Sequence, residues 1–225
     1  MTSEMANNDM TNKLINKKTP LLRFPEFSET SGWTFEKLGS LARRMTTRNT
    51  DRRYTRVLTN SAEHGVVDQK EFFDREIVTS ANLDTYYVVE AGDYVYNPRV
   101  SKSAPVGPIS KNHVGTGVMS PLYTVFRFHE AKNDVYEYYF QSTHWHRFLR
   151  DASNSGARHD RMNISNDDFM NMLVPVPPCP DEMIKVSDFF HVLDDLIDAE
   201  AQKLERLRAR REGFLQQIFP SPEGK

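Results

Sequence analysis

The densest group of side chains able to do chemistry lies at residues 43–56, RRMTTRNTDRRYTR, where six arginines and one aspartate alternate with small hydroxyl residues. Arg43, Arg44, Arg48, Arg52 and Arg53, with Arg56 behind them, offer planar guanidinium forks, and Thr46, Thr47, Asn49, Thr50 and Tyr54 offer neutral partners beside them. A sugar-phosphate backbone presents rows of anionic oxygens that such a mixture holds by charge-assisted hydrogen bonds. The competing reading is a solvated charged face. A second group, Asn154, Ser155, Arg158, His159, Arg161 and Asn163, falls in a polar, glycine-containing stretch. In a major groove arginine can fork to guanine and asparagine to adenine, whereas the plainer alternative is an ordinary polar loop. Asn97, Arg99, Ser101 and Lys102 form a third and weaker group.

Catalytic machinery is harder to find. There is no glycine-rich phosphate loop, no dinucleotide-binding GxGxxG, no HExxH and no GxSxG elbow. Asn97-Pro98-Arg99-Val100 is superficially like the N-P-P-aromatic tetrapeptide of amino-methyltransferases, but it lacks the second proline and the aromatic that would stack on a flipped base. His144 and His146, read as members of one helix, would project about 200° apart and could not chelate together. His64, His113 and His159 have no acidic neighbours at ligand spacing, so neither a catalytic residue nor a metal site is expected. Asp68, Lys70 and Glu71 are a poorly spaced nuclease-like trio.

Composition limits the context. The charges balance, 29 Lys+Arg against 31 Asp+Glu, which excludes a generally polycationic binding mode. The lone Cys179 permits neither an internal disulfide nor a cysteine-built zinc site. With a mean hydropathy of −0.63 and no apolar run of about 18 residues, no membrane partner is expected and the expected location is cytoplasmic.

The elements that must position these groups read as an α+β fold: a globular domain with a mixed β-sheet and short helices, then one long C-terminal coiled-coil helix. Residues 1–19 are polar and aperiodic, as in a mobile N-terminal arm. A globular domain is expected over 20–180, with an amphipathic helix from Trp33 to Met45 carrying Phe35, Leu38, Leu41 and Ala42 on one face. Short β-runs are expected at Tyr54–Leu58, Tyr86–Val89, Asp93–Tyr96 and Leu122–Phe128, and a helix at Asp134–Asp151. Ser165 with Asp168 reads as a helix-starting capping box, and the prolines of Val174–Pro180 should stop regular structure. From Asp181 to Phe219 there is no proline, and a period of seven gives the series Val186, Leu193, Glu200, Leu207, Phe214 and Phe190, Ile197, Leu204, Arg211, Ile218, apolar at eight of ten positions. A helix over 181–219, about 58 Å long at 1.5 Å per residue, must bury this seam against a second helix, which another chain would supply. Its first half holds seven acids and one lysine and its second half five bases and two acids, so an antiparallel pair would set acid against base. A plainer cause for that ordering is the helix macrodipole. Residues 220–225 are a tail.

At this point several motifs fall into a familiar order. Leu22-Arg-Phe-Pro-Glu-Phe27, Trp33, Lys37-Leu-Gly39, Tyr96-Asn97-Pro-Arg, Gly117-Val-Met-Ser-Pro-Leu-Tyr123, Met162-Asn-Ile164 and Val174-Pro-Val-Pro-Pro178 resemble the target recognition domain of specificity subunits of type I restriction-modification enzymes. Residues Phe189–Asp195 and Leu204–Phe219 resemble that family's spacer helix. Two departures stand out: the usual P-P-L-P-E-Q reads Pro177-Pro-Cys-Pro-Asp-Glu182, and there is one recognition domain and one spacer helix where full-length subunits have two of each. The resemblance implies a half-length, non-catalytic DNA-binding subunit that recognises one half of a bipartite duplex target. Its implied partners are methyltransferase subunits that bind S-adenosylmethionine, ATP-dependent restriction subunits that use Mg²⁺, and a second copy of itself. The alternatives are a coiled-coil interaction adaptor, a recognition module of another restriction system and, last, a stand-alone nuclease.

Overall fold

The structure, a computed structural model, describes residues 17–72, 80–153 and 160–220, with backbone alone at 80–82. The chain forms two compact units, divided between Met183 and Ile184. The arm expected at 1–19 lies mostly outside the described residues. Lys18 is already ordered, exchanging backbone hydrogen bonds of 2.9 Å with Trp33.

In the first unit the expected helix at Trp33–Met45 is not formed. Strand β1 (Thr34–Lys37), a single turn α1 (Leu38–Leu41) and strand β2 (Ala42–Arg44) take its place. The apolar spacing was a coincidence of three short elements, each claimed by a distant partner. β1 pairs antiparallel with β10 (Leu173–Val176), and β2 pairs with β9 (Thr124–Phe128). Gly39, a weak helix former, lies where a Cβ would already stand 3.3 Å from the Met170 carbonyl oxygen. The same pairing corrects the reading of the proline stretch, whose start is strand rather than irregular chain. In a two-stranded sheet each strand has an outer side, so Pro175, opposite Phe35, sacrifices no ladder bond that its neighbours need.

The centre is a four-stranded antiparallel sheet in the order β2-β9-β6-β7, where β6 is Tyr94–Tyr96 and β7 is Ile109–Lys111. Two two-stranded sheets are interleaved with it in sequence, the hairpin of β3 (Leu58–Ser61) with β4 (Gly65–Asp68), and the non-local pair of β5 (Tyr87–Val89) with β8 (Gly117–Met119). β4, β7 and β8 were not anticipated. The β-run expected at Tyr54–Leu58 enters a ladder only at its end, because Tyr54 is held by a side chain described below and Arg56 by the backbone of Val118. At Gly117 a Cβ would meet the Leu58 side chain at 2.7 Å, so only glycine lets β8 approach β3.

One face of the central sheet carries an aromatic core. Tyr94 stacks on Phe126 at 5.5 Å, Phe128 on Tyr136 at 4.3 Å and Tyr96 on Phe169 at 4.8 Å, all six being buried. Tyr136 lies on α3 (Asp134–Gln141) and Phe169 on α5 (Asn166–Met170), which begins at the expected cap: Ser165 Oγ accepts from Asp168 N at 3.0 Å. The single helix expected at Asp134–Asp151 is two, α3 and α4 (His146–Ala152). Between them Ser142 Oγ and Trp145 Nε1 donate to the carbonyls of Tyr139 and Phe140, taking over bonds that a continuous helix would have needed. His144 therefore sits in the turn, not on a helix with His146.

Near the division, Glu182 is 1% exposed and accepts from Arg23 Nε and Nη2, each at 2.7 Å, and from Trp33 Nε1 at 2.9 Å. Burial alone would raise its pKa, but these donors and the guanidinium charge outweigh it and hold the carboxyl below its ordinary value.

The second unit is formed by α6 (Pro180–Ile218) from Ile184 onward. Proline at its first position supplies a φ suited to a helix start and lacks an N–H that would have had no intrahelical partner. Leu193, Ile197, Leu204, Leu207, Phe214 and Ile218 are all exposed, as is Phe190, while Val186 is half-buried. The exposed apolar surface is broader in the first half of the helix, where Val192 and Leu196 join it.

Candidate nucleic-acid interface

On strand β2 alternate side chains face opposite ways, so Arg43 and Arg44 do not act together. Arg43 is exposed, whereas Arg44 shares the face of buried Ala42 and has a buried Nε with no partner among the described residues. Beyond β2 the chain lies along β5: Val88 N donates to Thr47 O at 2.8 Å, Asn49 N donates to Tyr86 O at 3.0 Å, and Arg48 stands opposite Tyr87. Buried Asn49 then pegs the loop, its Nδ2 donating to Tyr54 O at 2.8 Å and its Oδ1 accepting from Tyr54 N at 3.0 Å. This peg holds a tight turn closed by Arg52 N to Asn49 O at 2.9 Å, with Arg52 at φ 55°, a conformation that costs a side-chain-bearing residue about 1 kcal/mol.

The arginines of this run have separate fates. Arg52 pairs with Asp84 at 2.9 Å, and its hydrogen bond holds that carboxyl below its usual pKa. Arg56 pairs with Asp68 at 2.8 Å and donates to Val114 O. Asp68 also caps α2 (Gln69–Phe72) by accepting from Lys70 N, so its place in the sequence-derived nuclease trio is structural. Arg53 lies over the Tyr54 ring at 5.5 Å. Arg43, Arg48 and Arg53 are exposed and have no ion-pair partner among the described residues.

The third sequence group meets part of the second. Asn97, at the exit of β6, donates from Nδ2 to Asn60 O at 2.9 Å and accepts from Arg99 N at 3.0 Å. Val100 N donates to Asp160 O and Met162 N to Pro98 O, both at 2.9 Å, making a short antiparallel ribbon in which Arg99 lies directly opposite Arg161. Those two hydrogen bonds flank the pair, which makes it the closer, non-hydrogen-bonded kind, with Cα atoms about 4.5 Å apart and side chains on one face. Arg161 approaches a carboxylate only at 3.8 Å, that of Asp160, and Arg99 has no ion-pair partner among the described residues. Lys102 is exposed on the adjoining turn, and exposed Asn163 donates its N–H to Ser153 Oγ at 3.0 Å. Gly107 makes this exit possible, because a Cβ there would stand 2.0 Å from Asn97 O. Arg158 and His159, with Asn154 and Ser155, lie outside the described residues.

Sheet direction brings the two basic groups to one end of the molecule's centre. β2 and β6 are both antiparallel to β9 and hence parallel to each other. Arg44 is opposite Phe126 and Tyr96 opposite Thr124, so both strands leave the sheet where β9 begins, about 10 Å apart at two strand spacings. α5 starts there too, since Thr124 Oγ1 donates to Asn166 Oδ1 at 3.3 Å. The pairing of Arg99 with Arg161 was not legible in sequence, because the 61 intervening positions carry no trace of it; the Asn49 peg had a signal, an Asx residue opening the turn Asn49-Thr-Asp-Arg52.

A cleft of about 720 Å³ on the β7 side is lined by His64, His113, His146 and Glu137 among others. His113 Nε2 lies 2.8 Å from Glu137, an acidic neighbour that its place in the sequence did not reveal. No group of three ligand-type side chains among the described residues could hold a metal ion.

No known family's sequence profile matches this chain, and no curated protein matches it. Solved structures do. A chain of a type I R-M system, studied for its complex assembly and conformational transition, superposes with a TM-score of 0.52 at 15% identity, over 92% of this chain and 53% of that one. The type I restriction-modification system S subunit from M. genitalium gives 0.54 at 12% identity, over 92% and 50%. The fold is that of a type I S subunit. It spans about half the length of the chains it matches, and no described helix is long and apolar enough to cross a membrane.

Proposed function

We propose that the chain is the sequence-recognition subunit of a type I restriction-modification complex, reading one half of a bipartite duplex target and doing no chemistry of its own. The observation that carries this is the Arg99–Arg161 pair: two guanidinium groups on one face of a ribbon, at the sheet end where Arg48 also emerges, with Asp160 the one carboxylate near them among the described residues. Like charges placed directly opposite destabilise a ribbon, and a guanine edge or a phosphate removes that cost by accepting from both forks. The S-subunit fold supports the same reading. Arg43, Arg48 and Arg53 then track phosphates, while Asn97, Arg99, Lys102, Arg161 and Asn163 approach base edges. Methyltransferase subunits carrying S-adenosylmethionine and ATP-dependent restriction subunits using Mg²⁺ supply the chemistry.

A second copy supplies the other half of the target. The exposed seam from Leu193 to Ile218 and the acid-to-base order of α6 suit an antiparallel homodimer, whose two-fold axis requires an interrupted palindrome in the DNA. Mapping methylated adenines in a host that expresses this chain with its methylating partner should give a palindrome split by a spacer of fixed length. An asymmetric target, or none, would overturn the reading. Leu204→Asp with Leu207→Asp should turn a dimer into a folded monomer in light scattering, because burying unpaired charge in the seam costs several kcal/mol.

A further inference from the structure

The turn that feeds β9 joins β8 to the middle of the four-stranded sheet, and neither basic group includes it. It is pinned three times: Tyr123 N donates to Ser120 O at 3.0 Å, Leu122 N lies 3.4 Å from Ser120 Oγ, and the Tyr123 hydroxyl shares a 3.0 Å hydrogen bond with Thr59 Oγ1. Tyr123 and Met45 pack on the same buried cluster of Leu58, Val89, Val95 and Val125. Since β9 lies between β2 and β6, this turn stands between the exits that lead to Arg48 and to Arg99. On its tip Leu122 is 60% exposed, an apolar side chain held out on a rigid turn between two basic loops.

A lone exposed leucine is ordinary on a protein surface. What sets this one apart is its place. A surface that meets only phosphates has no use for an apolar tip at its middle, whereas the major groove offers one apolar group, the C5-methyl of thymine. Resting on the DNA-recognition reading above, we infer that Leu122 is a specificity-determining residue that packs against a thymine methyl in the target half-site. Arginine forks on either side fix the register in which that contact is made.

The test uses the full chain and a library of random duplexes. Wild type should select a half-site with at least one thymine at which deoxyuridine, lacking only the methyl, weakens binding roughly three- to fivefold, as expected for one methyl removed from water. Leu122→Ala should bind the selected duplex more weakly and should no longer distinguish thymine from deoxyuridine at that position, while an Arg161→Ala chain still does. If every deoxyuridine replacement leaves wild-type binding unchanged, if the half-site holds no thymine, or if Leu122→Ala keeps the full discrimination, the Leu122 assignment is wrong although DNA recognition stands. If wild type selects no sequence at all, the recognition reading itself fails and the assignment with it.

Discussion

Among the described residues, two places in the globular unit set arginine directly against arginine across an antiparallel pair, and they are treated differently. In the sheet, Arg43 of β2 faces Arg127 of β9. Arg127 is neutralised within the fold: its Nε lies 2.5 Å from Asp93 Oδ1, its Nη2 3.0 Å from Asp93 Oδ2 and 2.8 Å from Glu90 Oε2, and these partners raise its pKa further. At the ribbon, Arg99 faces Arg161 with, among the described residues, a single carboxylate 3.8 Å away. The chain compensates the member of the pair that belongs to its framework, Arg127, and leaves Arg43 exposed. At the ribbon the described residues offer no such compensation, which is the contrast that the proposed DNA contact rests on.

The largest effect should come from undoing the compensated pair. Asp93 is fully buried and also accepts from Glu90 N at 2.8 Å, so Asp93→Ala removes partners from Arg127 and from a backbone donor at once. A loss of about 2–3 kcal/mol is expected, seen as a lower melting temperature of the globular unit. Arg161→Ala should do the reverse: melting stays put or rises slightly as a like-charge contact disappears, while the methylated sequence relaxes at one position by about 1–3 kcal/mol. A destabilised Arg161→Ala protein with an unaltered target would make the ribbon pair structural.

The same contrast explains what the sequence disclosed. The long helix was legible because its seven-residue period is local, and α6 runs from Pro180 to Ile218 where 181–219 was expected. The α+β class, the strands at Tyr87–Val89, Tyr94–Tyr96 and Thr124–Phe128 and the Ser165 cap were legible for the same reason. The helix expected at Trp33–Met45 failed because Thr34–Lys37 is decided by Leu173–Val176, a partner well over a hundred residues away. Strands of three residues such as Ile109–Lys111 leave no periodic trace at all. Within the candidate site the residue types were visible, but their division into paired and exposed arginines was not, since Asp84, Asp68 and Asp93 reach Arg52, Arg56 and Arg127 only in three dimensions.

The smallest expected effect separates the exposed arginines of the first run from their ion-paired neighbour. Arg43 and Arg48 are exposed without a carboxylate partner among the described residues, and each is expected to neutralise one phosphate. Every such contact contributes about 0.9 to the slope of log affinity against log salt, so Arg43→Ala with Arg48→Ala should flatten that slope by about 1.8. Because phosphates are the same at every base pair, the selected sequence should not change. Arg52 is the internal control: its guanidinium is held by Asp84 on the rim of a turn pegged by buried Asn49, so Arg52→Ala should leave the slope nearly where it was. Binding isotherms on one duplex from about 0.05 to 0.3 M salt measure all three chains. If Arg52→Ala flattens the slope as much as one of the other replacements does, the ion pair with Asp84 gives way to DNA, and pairing within the fold no longer marks which arginines are kept from the ligand.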